Sequence, residues 1–212
     1  MSIILNLLTF FTEISDGITN FLILYNVLKS RSAGGTSTYF SIFCIFSSLF
    51  QIISKHNISF NLLCQFLKLI SSLILFFLLQ WKFPVRSSKL KDDPKMIFLL
   101  PIALCIGLIS GIYNSISSFF YYSSILLDAF SLFCQMMLTK KTRRILIFLP
   151  MTLFCIVCGQ ISKSMIFGYE SSKTSGLNSW ISWISAVLLF LSTIDFVFYI
   201  LFAHHKNSEF LP

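Results

Sequence analysis

Seven long apolar runs, separated by short clusters of lysine and arginine, constrain this chain more than any other feature. A helix rises about 1.5 Å per residue, so about 20 apolar residues carry it across the hydrocarbon core of a bilayer. Runs that qualify lie at 4–28, 38–54, 59–81, 96–113, 117–139, 145–168 and 178–203. Inside lipid each backbone amide must be bonded within its own segment, so the runs are expected to be helices. Composition points the same way. Hydrophobic residues make up 56% of the 212 and charged residues 11%, against roughly 25% charge in a soluble domain. So few charges cannot coat a water-facing surface. The expected fold is all-α integral membrane, a single domain over 1–212 with seven transmembrane helices and a short tail at 204–212.

The basic residues set the direction. Lys29 and Arg31 follow the first run, and Lys82, Arg86, Lys89, Lys91 and Lys95 separate the third from the fourth. Lys140, Lys141, Arg143 and Arg144 separate the fifth from the sixth, and Lys206 lies in the tail. The opposite side offers only Lys55 and Lys173. Twelve against two makes the first side cytosolic, with a luminal N-terminus and a cytosolic C-terminus expected. The net charge of +8 is thereby explained as a topology signal. A nucleic-acid partner is not expected; membrane lipids are.

Several features point to no chemistry. The six cysteines (Cys44, Cys64, Cys105, Cys134, Cys155, Cys158) lie almost wholly in apolar runs. Cys155 and Cys158 share a helix face, but no histidine or acid stands beside them, so small buried hydrophobes are expected. His204 and His205 are adjacent and cannot share a face. No metal, cofactor or enzymatic constellation is read from the chain. The first run lacks a basic leader and contains Glu13 and Asp16, so no cleavable signal is expected. Asn57-Ile58-Ser59 is a formal glycosylation acceptor, placed too close to the bilayer surface to be used.

A short internal match runs through the chain. Tyr25-Asn26-Val27-Leu28-Lys29 near the end of the first run and Cys134-Gln135-Met136-Met137-Leu138-Thr139-Lys140 near the end of the fifth each set an amide one turn before a basic exit. Those runs point the same way, so two three-helix repeats (1–3 and 5–7) joined by a fourth helix are expected.

Polar residues within the runs need a reason, because a charge at mid-span costs about 2.5–3.5 kcal/mol on the insertion scale. Glu13, Asp16, Lys68, Asp128, Lys163 and Asp195 are charged, with Gln51, Gln135 and Gln160 as neutral companions. Direction places Gln51 and Lys55 at the luminal end of the second run, Gln160 and Lys163 in the luminal third of the sixth, and Glu13 and Asp16 in the luminal half of the first. A cavity of mixed charge open to the lumen is one expectation. The other is that Lys55 and Lys163 reach up to the headgroups and pair with Glu13 and Asp16. Asp128 and Asp195 are too short to reach out; pairing or protonation is one expectation of them, and a proton-linked switch is the other.

In length, topology and motif order the sequence resembles the endoplasmic-reticulum lumen protein-retaining receptors, the KDEL receptor family. Leu28-Lys29-Ser30-Arg31-Ser32 with Gly35 is similar to the family's K-[ST]-R-S-C-A-G turn. Lys82-Phe83 falls at its third exit, and Phe98-Leu99-Leu100-Pro101 resembles F-L-V-V-P. Ser124-Ile125, Asp128, Gln135 and Lys141-Thr142 resemble S-I-Y-L-E-S-V-A-I-L-P-Q-L-F-M-x-S-K-T, and Asp195-Phe196-Val197-Phe198-Tyr199 resembles D-F-F-Y-L-Y. The resemblance implies a receptor for the C-terminal tetrapeptide (KDEL/HDEL-like) of luminal proteins, cycling between endoplasmic reticulum and Golgi with cytosolic coat machinery as a partner.

The departures fall on the pocket. The family's buried arginine in the second span is Gln51 here, and the aspartate after it is Ser54. Its acidic residue opening the fifth span falls on Ser118, its early arginine near Thr9 and its pH-sensing histidine on Asp16. The sixth span offers Gln160 and Lys163 in place of arginine. The resemblance implies a ligand site rebuilt around Gln51, Lys55, Ser118, Gln160, Lys163, Glu13 and Asp16. It also implies a recycling role for Asp195, Lys206 and Ser208, with Asp128 and Gln135 as intramembrane structural residues. A small-solute carrier of the SWEET or PQ-loop type, whose repeats this fold would share, is the alternative.

Overall fold

A computed structural model of the chain describes residues 2–31, 36–54, 60–83, 92–113, 115–142, 150–173 and 176–206. Among these residues helix is almost the only structure: α1 Ser2–Ser30, α2 Thr38–Ser54, α3 Phe60–Phe77, α4 Leu99–Tyr113, α5 Ile116–Thr142, α6 Pro150–Lys173 and α7 Leu177–Lys206. Five stretches are long and apolar enough to cross a membrane: Leu7–Lys29, Leu62–Lys82, Pro94–Ile112, Ile116–Lys141 and Asn178–Tyr199. The shorter α2 is also apolar. This is an integral membrane protein by length and composition. The predicted second run coincides with α2. The predicted sixth run opened at 145, in a part outside the described residues, and its helix continues past 168 to Lys173.

Local chemistry explains the helix ends. Ser37 opens α2, its hydroxyl accepting from the amide of Phe40 at 3.1 Å, which satisfies one of the amides that a helix start leaves unpaired. Asp92 adds a second acceptor there from far along the chain, 2.7 Å from the Thr38 amide. Ser115 does the same for α5, taking the Ser118 amide at 3.2 Å. The end of α3 loosens into a π turn over Leu78–Lys82, and a 3-10 turn over Pro94–Phe98 leads into α4. Pro94 fits at the first position of that turn because no partner is needed for its missing N–H. Gly176, with φ of 68°, makes the tight left-handed turn from α6 into α7 that side chains resist.

Packing divides the helices into two triplets. The third member of each lies between the other two: α3 against α1 and α2, and α7 against α5 and α6. The triplets meet along two seams, α1 with α6 and α2 with α5, while α4 rests on α5. This arrangement is symmetric under exchange of α1, α2, α3 for α5, α6, α7. Burial separates the roles of two neighbours: 17% of the α4 stretch is buried against 56% of the α5 stretch. The fourth helix is peripheral and the fifth is central.

Small residues allow close approach. On α4, Gly107 and Gly111 are four apart, and a Cβ on Gly107 would lie 1.8 Å from the Ser123 hydroxyl of α5, which is the small-xxx-small packing of membrane helices. On the α1–α6 seam a Cβ on Gly159 would lie 2.5 Å from the Ser15 hydroxyl. Phe43, Ile125, Leu127 and Leu189 fill the interior. Phe11, Phe21, Leu67, Ile112 and Phe198 lie exposed on outer helix faces, where lipid supplies apolar surroundings.

Candidate functional site: a charge network between the triplets

Four charged side chains meet where the two triplets join. Asp16 comes from α1, Lys68 from α3, Asp128 from α5 and Lys163 from α6, each between 2% and 7% exposed. Lys68 donates to Asp128 Oδ1 at 2.8 Å and to Asp16 Oδ2 at 3.3 Å. Lys163 donates to Asp128 Oδ2 at 2.9 Å and pairs with Asp16 as well. Among the described residues two lysines therefore balance two aspartates. Such balance is what allows the group to be buried, since an uncompensated ion inside the membrane carries several kcal/mol of desolvation cost, of order 2.5 kcal/mol or more.

The two carboxylates are held differently. Asp128 has four donors: both lysines, the Ser47 hydroxyl at 2.6 Å and the Gln51 amide at 3.2 Å, the last two from α2. Asp16 has the two ammonium groups. Close by, Asn20 donates to the Asp16 carbonyl at 3.0 Å, and its own oxygen accepts from Ser72 at 3.2 Å, tying α1 to α3. A cavity of about 30 Å³ opens beside the network, with Asp16, Asn20, Lys68, Asp128, Gln160 and Lys163 among its walls. The Gln160 side-chain oxygen is buried there with no hydrogen-bond partner among the described residues.

The structure brings together four residues singled out from sequence as ligand-binding: Gln51, Asp16, Gln160 and Lys163. Lys163 does not reach toward headgroups; it turns inward, because two carboxylates lie within reach of its ammonium. The polar groups converge on Asp128 at the middle of α5, with Gln51 reaching it from the last turn of α2. Ser118 does not join them. It bonds Ser115 at the start of α5, ten residues before Asp128, or about 15 Å along the helix. Lys55, Ser208 and the side chains of Glu13 and Lys206 lie outside the described residues. Lys68 had no predicted role, yet it is a full member. Its signal was charge: acids within the apolar runs call for bases there, and Lys68 lies at least as deep in its run as Lys163.

Gln135 also lines the cavity, whereas Asp195 lies elsewhere. The Gln135 oxygen accepts from the Ser37 amide at 2.9 Å, joining α5 to the start of α2. Asp195 on α7 pairs with Lys140 on α5, and its side chain is 48% exposed, so it is not a buried charge.

Beyond this end of the bundle, burial lifts the Asp92 carboxyl above its usual range, while Ser37, the Thr38 and Tyr39 amides and Lys141 pull the other way. No family model matches the chain, and no curated protein matches it. The fold and site themselves define a class: an all-α membrane protein with a balanced ion network buried between two helix triplets.

Proposed function

We propose that the chain is a receptor for the C-terminal retrieval signals of luminal endoplasmic-reticulum proteins, returning escaped cargo from the Golgi. It would span the membrane seven times, with α2 and α6 crossing alongside the five longer apolar stretches, a luminal N-terminus and a cytosolic tail. One observation carries the reading: two ammonium groups, Lys68 and Lys163, stand side by side on a shared carboxylate between the triplets. A peptide's terminal carboxylate or acidic side chain needs such a pair of cations in a desolvated place. The ordered motif resemblance, from Lys29-Ser30-Arg31-Ser32 to Asp195-Phe196, supports the same reading. Lysine is a point charge and lacks the fork with which arginine grips a carboxylate, so peptide selectivity is expected to be loose.

The test is capture of the purified protein on immobilised Lys-Asp-Glu-Leu peptides, with free or amidated C-termini, at reticulum-like and Golgi-like pH. The reading expects retention on the free acid, stronger at the lower pH, and loss of at least tenfold in affinity for Lys163→Ala. Equal retention on both peptides would refute it. A small-solute carrier is the second reading, favoured by the position of the network at the triplet interface, where transporters of repeated architecture hold substrates. Solute uptake by proteoliposomes, with no preference for free-acid peptide, would favour that reading.

A further inference from the structure

The charges of the central network raise a question that their balance answers. The two lysines that would receive an anionic ligand are already occupied, and by carboxylates of unequal standing. Asp128 is fixed by four donors from three other helices. Among the described residues Asp16 is held by the two lysines alone. The neighbouring cavity of about 30 Å³ has room for about two water molecules. That space is smaller than the terminal residue of a peptide, and the position between the two ammonium groups is the one that Asp16 holds.

We propose that Asp16 is a built-in competitor, a carboxylate of α1 that fills the anion position on Lys68 and Lys163 until a ligand carboxylate displaces it. The inference rests on the receptor reading and adds the regulation of its site. Displacement costs the network little in charge, because one carboxylate leaves as another arrives and the two lysines remain neutralised. Asp128 stays, held by Ser47 and Gln51 of α2. Gln160 gains the partner that its buried oxygen lacks, by accepting from an amide of the incoming peptide. Close approach at Gly159 and Ser15 sets α1 against α6 one turn from Lys163, so movement of Asp16 is movement of this seam. Specificity follows as well: only an anion able to outcompete a carboxylate already in place is retained.

The experiment compares the wild type with Asp16→Asn and Asp16→Glu, titrated with acetylated Lys-Asp-Glu-Leu as free acid and as amide. Asp16→Asn leaves two lysines against one carboxylate, so the free acid is expected to bind at least tenfold more tightly than to the wild type, with no gain for the amide. Asp16→Glu keeps the competitor and stays within threefold of the wild type. Binding by the wild type without tightening in Asp16→Asn overturns the competitor and leaves the receptor standing. No binding by either protein overturns both. Should Asp16→Asn fail to fold, the wild type alone decides. Carbodiimide modification located by mass spectrometry is expected to rise at Asp16 when the free-acid peptide is added and to stay unchanged at Asp128. A constant yield at Asp16 would overturn the proposal.

Discussion

Replacing Lys68 with methionine tests whether the four charges act as one unit. The chain length and apolar stem are nearly preserved, so the perturbation is the loss of one charge and its hydrogen bonds. Asp16 is left with Lys163 alone, and Asp128 with Lys163, Ser47 and Gln51. The network passes from neutral to one uncompensated negative charge, at a position 2% exposed. Removing one partner of a buried pair costs about 3–5 kcal/mol. That is a large share of the roughly 5–15 kcal/mol that holds a folded protein together. The second step restores neutrality: Lys68→Met with Asp16→Asn leaves one lysine and one aspartate. If the charges are coupled, the double variant recovers about 1–3 kcal/mol relative to the sum of the singles. Thermal unfolding of the purified protein in detergent, followed for all four members of the cycle, reads both quantities. A Lys68→Met cost below about 1 kcal/mol, or strict additivity in the cycle, would refute the network as drawn.

Three further outcomes are expected. Gly159→Ala should destabilise by about 1–3 kcal/mol, because its Cβ would meet Ser15 on both Oγ and Cβ; unchanged thermal stability would mean that α1 and α6 are not so close. Asp195→Asn removes the pair with Lys140, which lies apart from the central network, so folding and peptide capture should survive. On the receptor reading the variant stalls in the Golgi, and normal cycling by microscopy would remove Asp195 from that role. Asp92 titrates above the usual carboxylate range through burial. A folded value raised above the unfolded one gives stability that is complete below the unfolded value and fades as pH rises through the raised one. Asp92→Asn keeps an acceptor for the Thr38 amide and should flatten that part of the stability–pH curve in thermal unfolding; an unchanged slope would count against it.

The helices were legible because apolar length and basic punctuation are properties of the chain itself. The second run at 38–54 coincides with α2 to the residue, and the fifth and seventh fall within α5 and α7. Helix ends extend past the apolar runs where capping and basic residues favour continuation. Lys140 and Lys141 lie in the last turn of α5, where cations meet the negative end of the helix dipole. Polarity within a run was legible too, since Asp16, Gln51, Asp128 and Lys163 each stand out against apolar neighbours.

What the sequence withholds is adjacency. Spacing along one helix shows that Gln51 and Lys55 share a face, yet the partner of Gln51 is Asp128, 77 residues away on another helix. That pairing depends on the α2–α5 seam, and the pairing of Asp16 with Lys163 depends on the α1–α6 seam. Ser118 was drawn into the site through its position in a motif, while the depth of the residue along α5 argues against it. Charge balance is the rule that sequence reading can apply without knowing the seams. Acids inside the apolar runs, at 13, 16, 128 and 195, call for bases at similar depth. Lys68 and Lys163 are the lysines that lie inside a run and not at its edge. Depth and sign select the two lysines, and the packing then decides which of the acids they meet, which carboxylate is anchored and which is free to yield.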